Sequence, residues 1–156
     1  MADELHTFAV SLVTPDGAAY EGECEMLIVP GAAGEIGVLA RHAPLVATLK
    51  AGTTRVHVRR DTDVFEFATG SGFFKVEQDR ALVLVDGAVE AHEIDTAQAQ
   101  RQLEEAREEL ERAERGESDA DRWQLEQRIR FFEIQLETAA GPDNGRRSRV
   151  EASPSA

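Results

Sequence analysis

Cysteine, lysine and long apolar runs are all scarce in this sequence of 156 residues. The single cysteine, Cys24, cannot form a disulfide within one chain, which indicates a reducing compartment. No apolar run approaches the roughly 20 residues needed to cross a bilayer, so we expect no direct membrane insertion. Acidic residues outnumber basic ones by 30 to 17, for a net charge of −13. Nucleic acid is therefore not an expected partner, because it requires a basic binding face.

The sequence patterns of a self-contained enzyme are also missing. Neither Lys50 nor Lys75 follows the glycine spacing of a phosphate-binding loop, and there is no G-x-S-x-G motif. The four histidines stand apart from other ligand residues, so no metal site is predicted. Cys24 lies between Glu23 and Glu25, which should raise the pKa of its thiol and disfavour a nucleophilic role. We expect no catalytic residue, no metal and no cofactor.

Residues 7–95 carry the pattern of a β-rich domain. Short segments of alternating apolar and polar residues are separated by turn signals such as Pro15-Asp16-Gly17 and Gly70-Ser71-Gly72. Many short strands at close spacing are typical of an antiparallel sandwich or barrel. The predicted strands cover residues 8–14, 20–24, 25–29, 45–49, 53–60, 64–68, 73–76 and 81–85.

The stretch 31–45, GAAGEIGVLARHAPL, stands out within this domain. Gly31, Gly34 and Gly37 permit positive φ or a close approach of another backbone. This density of glycine beside apolar residues predicts a shaped surface loop, of the kind that often carries function. The alternative is a β-bulge or turn that lets a sheet change direction, and the residue types alone favour it.

The periodicity changes at Asp95, which resembles a helix N-cap with Gln98 as its box partner. Apolar residues then recur at steps of four and three, and the pattern resumes after a break at Gly116, with Ser118 as the predicted second N-cap. This predicts an antiparallel hairpin of two helices over 96–140 that needs a docking surface for its apolar side. The predicted stripes are Ala99, Leu103, Ala106, Leu110 and Ala113, then Leu125, Ile129, Phe132, Leu136 and Ala139. Residues 141–156 lack periodicity and are predicted to be a disordered tail.

Four blocks of this sequence resemble the epsilon subunit of bacterial F-type ATP synthases. They are YEG at 20–22, the stretch 30–45 with its GEIG and HAPL, GSGFFKV at 70–76 and LVLVDGAVEAHEID at 82–95. The resemblance extends over residues 7–140 and implies an α+β fold, a sandwich of about ten strands followed by two helices. It also implies a non-catalytic central-stalk subunit of a proton-translocating synthase, peripheral on the cytoplasmic face of the cell inner membrane.

The same resemblance implies partners and contact residues. The partners are the gamma subunit, the membrane ring of c subunits and, transiently, the alpha and beta catalytic subunits. Residues 1–95 would bind the other rotor subunits, and the hairpin of residues 96–140 would regulate ATP hydrolysis. Contact with the c-ring is implied for Gly34, Glu35, Ile36, Gly37, His42, Ala43, Pro44 and Leu45. Contact with the catalytic subunits is implied for Arg122, Arg128 and Arg130; the alternative is a solvated helix face with pairs such as Glu126–Arg130.

One motif departs from the family pattern. Some epsilon subunits bind ATP through I/L-D-x-x-R-A at the first helix, and here the sequence reads Ile94-Asp95-Thr96-Ala97-Gln98-Ala99. Glutamine replaces the motif arginine, so we expect ATP binding to be weak or absent. A nucleotide-sensing module and a generic sandwich adaptor remain the alternative functions at this stage.

Overall fold

Ten strands and two long helices make up residues 6–141, which the computed structural model describes. The strands are β1 (Phe8–Thr14), β2 (Gly17–Cys24), β3 (Met26–Gly31), β4 (Gly34–Leu39), β5 (Leu45–Leu49), β6 (Gly52–Arg59), β7 (Asp63–Thr69), β8 (Gly72–Glu77), β9 (Arg80–Val85) and β10 (Ala88–Glu90). They pair in the order β10-β7-β6-β3-β5-β8-β9-β1-β2, with β4 beside β3. The predicted α+β class, with a β-sandwich followed by helices, is confirmed.

The strands bury alternate residues between the two halves of the sandwich. In β1 the buried positions are Phe8, Val10 and Leu12, as the period of two predicts. Phe74 and Val76 of β8 enter the same core. Every described strand pair is antiparallel, as predicted, except β1 with β9, which is parallel. No tight turn joins β1 to β9, so their relative direction is not constrained by a hairpin.

The glycine-rich stretch is mainly a strand, so the prediction of a surface loop over 31–45 is wrong for Gly34–Leu39. This segment forms β4 and pairs with β3 residue for residue. Two glycines make the tight reversal possible: a Cβ on Gly31 would lie 2.7 Å from the carbonyl oxygen of Gly34, and Gly34 has a φ of +140°. Ala32 and Ala33 form the turn between β3 and β4, and residues 40–44, between β4 and β5, are irregular.

The helices begin at Thr96 and Arg122. α1 (Thr96–Glu114) is capped by Asp95, whose Oδ1 accepts a hydrogen bond from the backbone N–H of Gln98 at 3.0 Å, as predicted. α2 (Arg122–Ala139) is capped by Asp121 and not by Ser118. The hydroxyl of Ser118 instead donates to the carboxylate of Glu109 and holds the interhelical turn together, so the helix starts three residues later than expected.

Helix α2 packs on two sides, which changes its buried stripe. Of the predicted stripe only Leu125 is fully buried, and the others are half-buried. Ile134 and Thr138, outside the predicted stripe, are buried because they face the β-sandwich. On α1 the predicted positions Ala99, Leu103 and Ala106 are buried against α2.

The hairpin is folded back onto the outer face of β6 and β7. Ile134 and Phe131 pack against Ala51 and Ala68, and the hydroxyls of Thr138 and Thr53 are 2.8 Å apart. A 3-10 turn, Ala91–Glu93, leads from β10 to α1 beside this contact. No helix in the described range is both long and apolar enough to span a membrane. The tail predicted over 141–156 lies, except for its first residue, outside the described residues.

Candidate functional site

The residues expected at the c-ring lie along one strand edge. Gly34, Glu35, Ile36 and Gly37 are in β4, whereas His42, Ala43 and Pro44 are in the connection to β5 and Leu45 begins that strand. Among the described strands β4 pairs with β3 alone, so its other edge is free. Glu35 lies near the start of β4 and His42 beyond its end, roughly 13 Å or more apart at about 3.3 Å per residue. The structure therefore places them at opposite ends of an edge and not in one loop.

Glu35 already has an intramolecular partner. Nη1 of Arg55 in β6 lies 3.3 Å from its Oε2, and Nε of the same arginine lies 3.2 Å from Oε2 of Glu66 in β7. The row of side chains crosses β4, β3, β6 and β7 on the outer face of the sheet. Sequence reasoning did not identify Arg55 or Glu66, since nothing in their local pattern signals this pairing.

Hydrogen bonds shape the connection between β4 and β5, residues 40–44, at the other end of the β4 edge. Arg41 has a φ of 67°, and its backbone N–H donates to Oδ1 of Asp79. Nδ1 of His42 donates to the carbonyl of Ala43 at 2.6 Å. These bonds give residues 40–44 a defined shape, with Ala43 and Pro44 exposed.

An exposed apolar surface lies on the other half of the sandwich. Val46, Phe73 and Leu84 are 69%, 61% and 43% exposed. Phe73 pairs with Leu84, and Leu84 with Val13, so their side chains share the outer face of β8, β9 and β1. We call Val13, Val46, Phe73, Leu82 and Leu84 the apolar face. The sequence does contain a signal for the apolar face. In Phe73-Phe74 and in LVLV at 82–85, consecutive residues are apolar, so both faces of these strands carry apolar side chains.

The three hairpin arginines do not form one cluster. Arg122 opens α2, and Arg128 lines a cleft of about 240 Å³ with Asp86 and Ser71 between the helix and the sandwich. Nη1 of Arg130 lies 3.5 Å from Oε1 of Glu133 and 4.0 Å from Oε2 of Glu137. Arg130 therefore pairs with Glu133 and Glu137, which follow it in the helix, and not with Glu126, the partner named in the alternative.

Two further side chains in the described part of the chain, Cys24 and Glu109, have shifted pKa values. Burial, reinforced by Glu23 and Glu25, raises the pKa of the Cys24 thiol to about 12, so the predicted direction is correct and the main cause is burial. Hydrogen bonds from Ser118 and Arg112 lower the pKa of Glu109 in the interhelical turn. Within residues 6–141 no three His, Cys, Asp or Glu side chains are grouped to hold a metal ion.

This chain is similar in sequence to several known proteins. Residues 7–91 match the family model described as ATP synthase, Delta/Epsilon chain, beta-sandwich domain. The chain is 37% identical over 122 residues to the ATP synthase epsilon chain of Latilactobacillus sakei, covering 76% of this chain and 83% of that one. It is 31% identical to the ATP synthase epsilon chain of Trichodesmium erythraeum over 138 residues, 88% of this chain and 99% of the relative.

Two solved assemblies contain chains of similar fold. One belongs to the Euglena gracilis mitochondrial ATP synthase, OSCP/F1/c-ring, with a TM-score of 0.68 and 26% identity over 85% of this chain and 81% of that chain. The other belongs to the central stalk and c-ring of the Tetrahymena thermophila mitochondrial enzyme, with a TM-score of 0.57. At 11% identity, the second likeness concerns the fold alone.

Proposed function

Because this chain belongs to the epsilon-chain family of F-type ATP synthases, we propose that it is a non-catalytic subunit of the central stalk that joins the gamma subunit to the c-ring. We further propose that its helical hairpin regulates ATP hydrolysis. The protein then lies at the cytoplasmic face of the inner membrane, held by its partners. Catalysis belongs to other subunits of the complex.

The observation that carries this proposal is the apolar face. Exposed apolar residues scattered singly are ordinary, but a group on neighbouring strands, here β5, β8, β9 and β1, is typical of a protein interface. Phe73, Leu84 and Val46 would each contribute roughly 1.5–3 kcal/mol if a partner covered them fully. An apolar partner surface also avoids the repulsion that a net charge of −13 would impose on an acidic one. We assign this face to the gamma subunit.

The free edge of β4 is the proposed contact with the c-ring. Its candidates are the exposed Gly34, Glu35 and Gly37 on the strand and Ala43 and Pro44 beyond it. A single exposed ion pair made by Glu35 contributes only about 0–1 kcal/mol, so the gamma contact must supply most of the affinity.

The hairpin has the properties of a reversible element. Its contact with the sandwich involves a small group, Ile134, Phe131 and Thr138 on α2 facing Ala51, Ala68 and Thr53. A shift between two docked positions requires only a few kcal/mol of difference. We propose that Arg122, Arg128 and Arg130 contact the catalytic subunits when the hairpin leaves the sandwich. A nucleotide-sensing role has no comparable support, since Gln98 is exposed and stands in place of the motif arginine.

Replacement of Phe73 by serine tests the proposal. Loss of the only aromatic ring of the apolar face should weaken copurification with the gamma subunit by roughly 10–30-fold, while thermal unfolding of the isolated protein should change little. Trp123→Ser is the matched control, because Trp123 is 64% exposed but lies on α2, away from the apolar face. Equal retention of the gamma subunit by Phe73→Ser and Trp123→Ser would contradict the assignment.

A further inference from the structure

Arg55 connects three strands at the centre of an acidic row. Its Nε meets Glu66 at 3.2 Å and its Nη1 meets Glu35 at 3.3 Å. Exposure of the side chains rises along the row, from 19% for Glu66 through 34% for Arg55 to 63% for Glu35. The inner carboxylate thus anchors the guanidinium, and the guanidinium extends toward the exposed carboxylate at the edge.

Only arginine can hold both carboxylates in this arrangement. Its planar group presents donors in a fixed fork, so Nε and Nη1 address two acceptors at once. The ammonium of a lysine is a compact charge on a flexible stem and would favour one carboxylate at a time. The pairs add little to folding stability because Glu35 and Arg55 are partly solvated. Their consequence is local: they restrict where the Glu35 carboxylate can lie at the free edge of β4.

We propose that Arg55 is a positioning residue for the c-ring contact. Arg55, held in place by Glu66, fixes the carboxylate of Glu35 at the edge of β4. One guanidinium then faces two carboxylates. The row keeps one net negative charge and is completed by a basic side chain of the partner. This inference rests on the proposed function, since it assumes that the edge of β4 meets the ring.

The charge balance gives each variant its own signature. Arg55→Lys keeps the charge but loses the fork, so affinity should fall about 2–5-fold with an unchanged salt dependence. Glu66→Gln removes the anchor and the net charge, so both affinity and salt dependence should fall. Glu35→Gln should do the same because it removes the contact itself. Arg59→Lys is the matched control, since Arg59 is on the same strand and pairs with Asp63 at 3.9 Å, outside the row.

The experiment measures binding of the full-length protein to a purified subcomplex of gamma subunit and c-ring, at several salt concentrations. If Arg55 acts through Glu35, Arg55→Lys should have no further effect in the Glu35→Gln background. Additive losses, or a loss equal to that of Arg59→Lys, would overturn the positioning role while leaving the ring contact intact. If Glu35→Gln changed neither the affinity nor its salt dependence, the contact of Glu35 with the ring would be overturned, and the positioning role of Arg55 with it. Thermal unfolding of each variant separates these outcomes from misfolding.

Discussion

Thr138 at the end of α2 and Thr53 in β6 share a hydrogen bond, with their hydroxyl oxygens 2.8 Å apart. The two residues are 85 positions apart in the chain, and their contact joins the hairpin to the sandwich. Thr53 lies two residues from Arg55 on the same strand face, so the hairpin dock and the row at Arg55 are neighbours on β6. Any movement of the hairpin must begin by breaking this contact and the apolar one around Ile134.

A disulfide at this contact should hold the hairpin on the sandwich. The variant Thr53→Cys/Thr138→Cys places two thiols within bonding range, and oxidation should close the bond with little backbone movement. If the docked hairpin is the uninhibited state, ATP hydrolysis by the assembled enzyme should rise on oxidation and return on reduction. Each single-cysteine variant serves as a control, because it cannot form the bond. Hydrolysis that falls on oxidation would mean that the docked form is the brake.

Removal of the hairpin tests whether the sandwich alone is sufficient for coupling and the hairpin regulates ATP hydrolysis. A chain that stops after Asp95 keeps the apolar face and the edge of β4 but loses α1 and α2. Proton-driven ATP synthesis in membranes should persist, whereas ATP hydrolysis should rise. Lost synthesis would make the hairpin part of the coupling machinery, and unchanged hydrolysis would mean that it is no brake under those conditions.

The buried thiol of Cys24 predicts a dependence of stability on pH. Its pKa is raised to about 12 in the fold, against about 8.5 in an unfolded chain. Between these values the unfolded state releases the proton and the folded state keeps it, so stability should fall as pH rises above about 8.5, by up to roughly 1.4 kcal/mol per pH unit. Chemical denaturation from pH 8 to 10.5 measures the slope.

Cys24→Ala is the control for this slope, because other groups also titrate in the alkaline range. The variant is expected to be less stable at pH 8, since it leaves space in the core, but its stability should decline less steeply as the pH rises. Identical slopes for the two proteins would show that Cys24 makes no contribution to the pH dependence.

The sequence predicts the elements whose signal is local. Asp95 caps α1 because its carboxylate needs only the N–H of Gln98, three residues away. The prediction that Ser118 caps α2 was wrong, because the Ser118 hydroxyl donates to the carboxylate of Glu109, nine residues earlier, and Asp121 caps the helix instead. β4 was missed because its two glycines, Gly34 and Gly37, hide its alternation, and the strand forms by pairing with β3.

The row at Arg55 could not be predicted from sequence. Its carboxylates lie 20 and 11 residues from Arg55 in the chain, so their meeting depends on the register of β4, β3, β6 and β7. In an acidic chain many carboxylates are equivalent candidates, and periodicity does not rank them. The same applies to the second buried side of α2, which exists only because the sandwich lies beneath it.

The orientation of the sandwich toward the membrane ring is the last prediction. Cysteines placed singly at Glu35 and at Ala43, near the two ends of the β4 edge, should each crosslink to a cysteine in the polar loop of the c subunit. Ala18 on β2 is the control site, since it is also exposed but lies at the far end of the strand order. Cys24 can stay in place, because its burial and its pKa of about 12 keep the thiol unreactive at neutral pH. Crosslinking from both edge positions and none from Ala18 supports the proposed orientation. Crosslinking from residue 43 alone would restrict the contact to the connection after β4, and crosslinking from residue 18 alone would reverse the orientation.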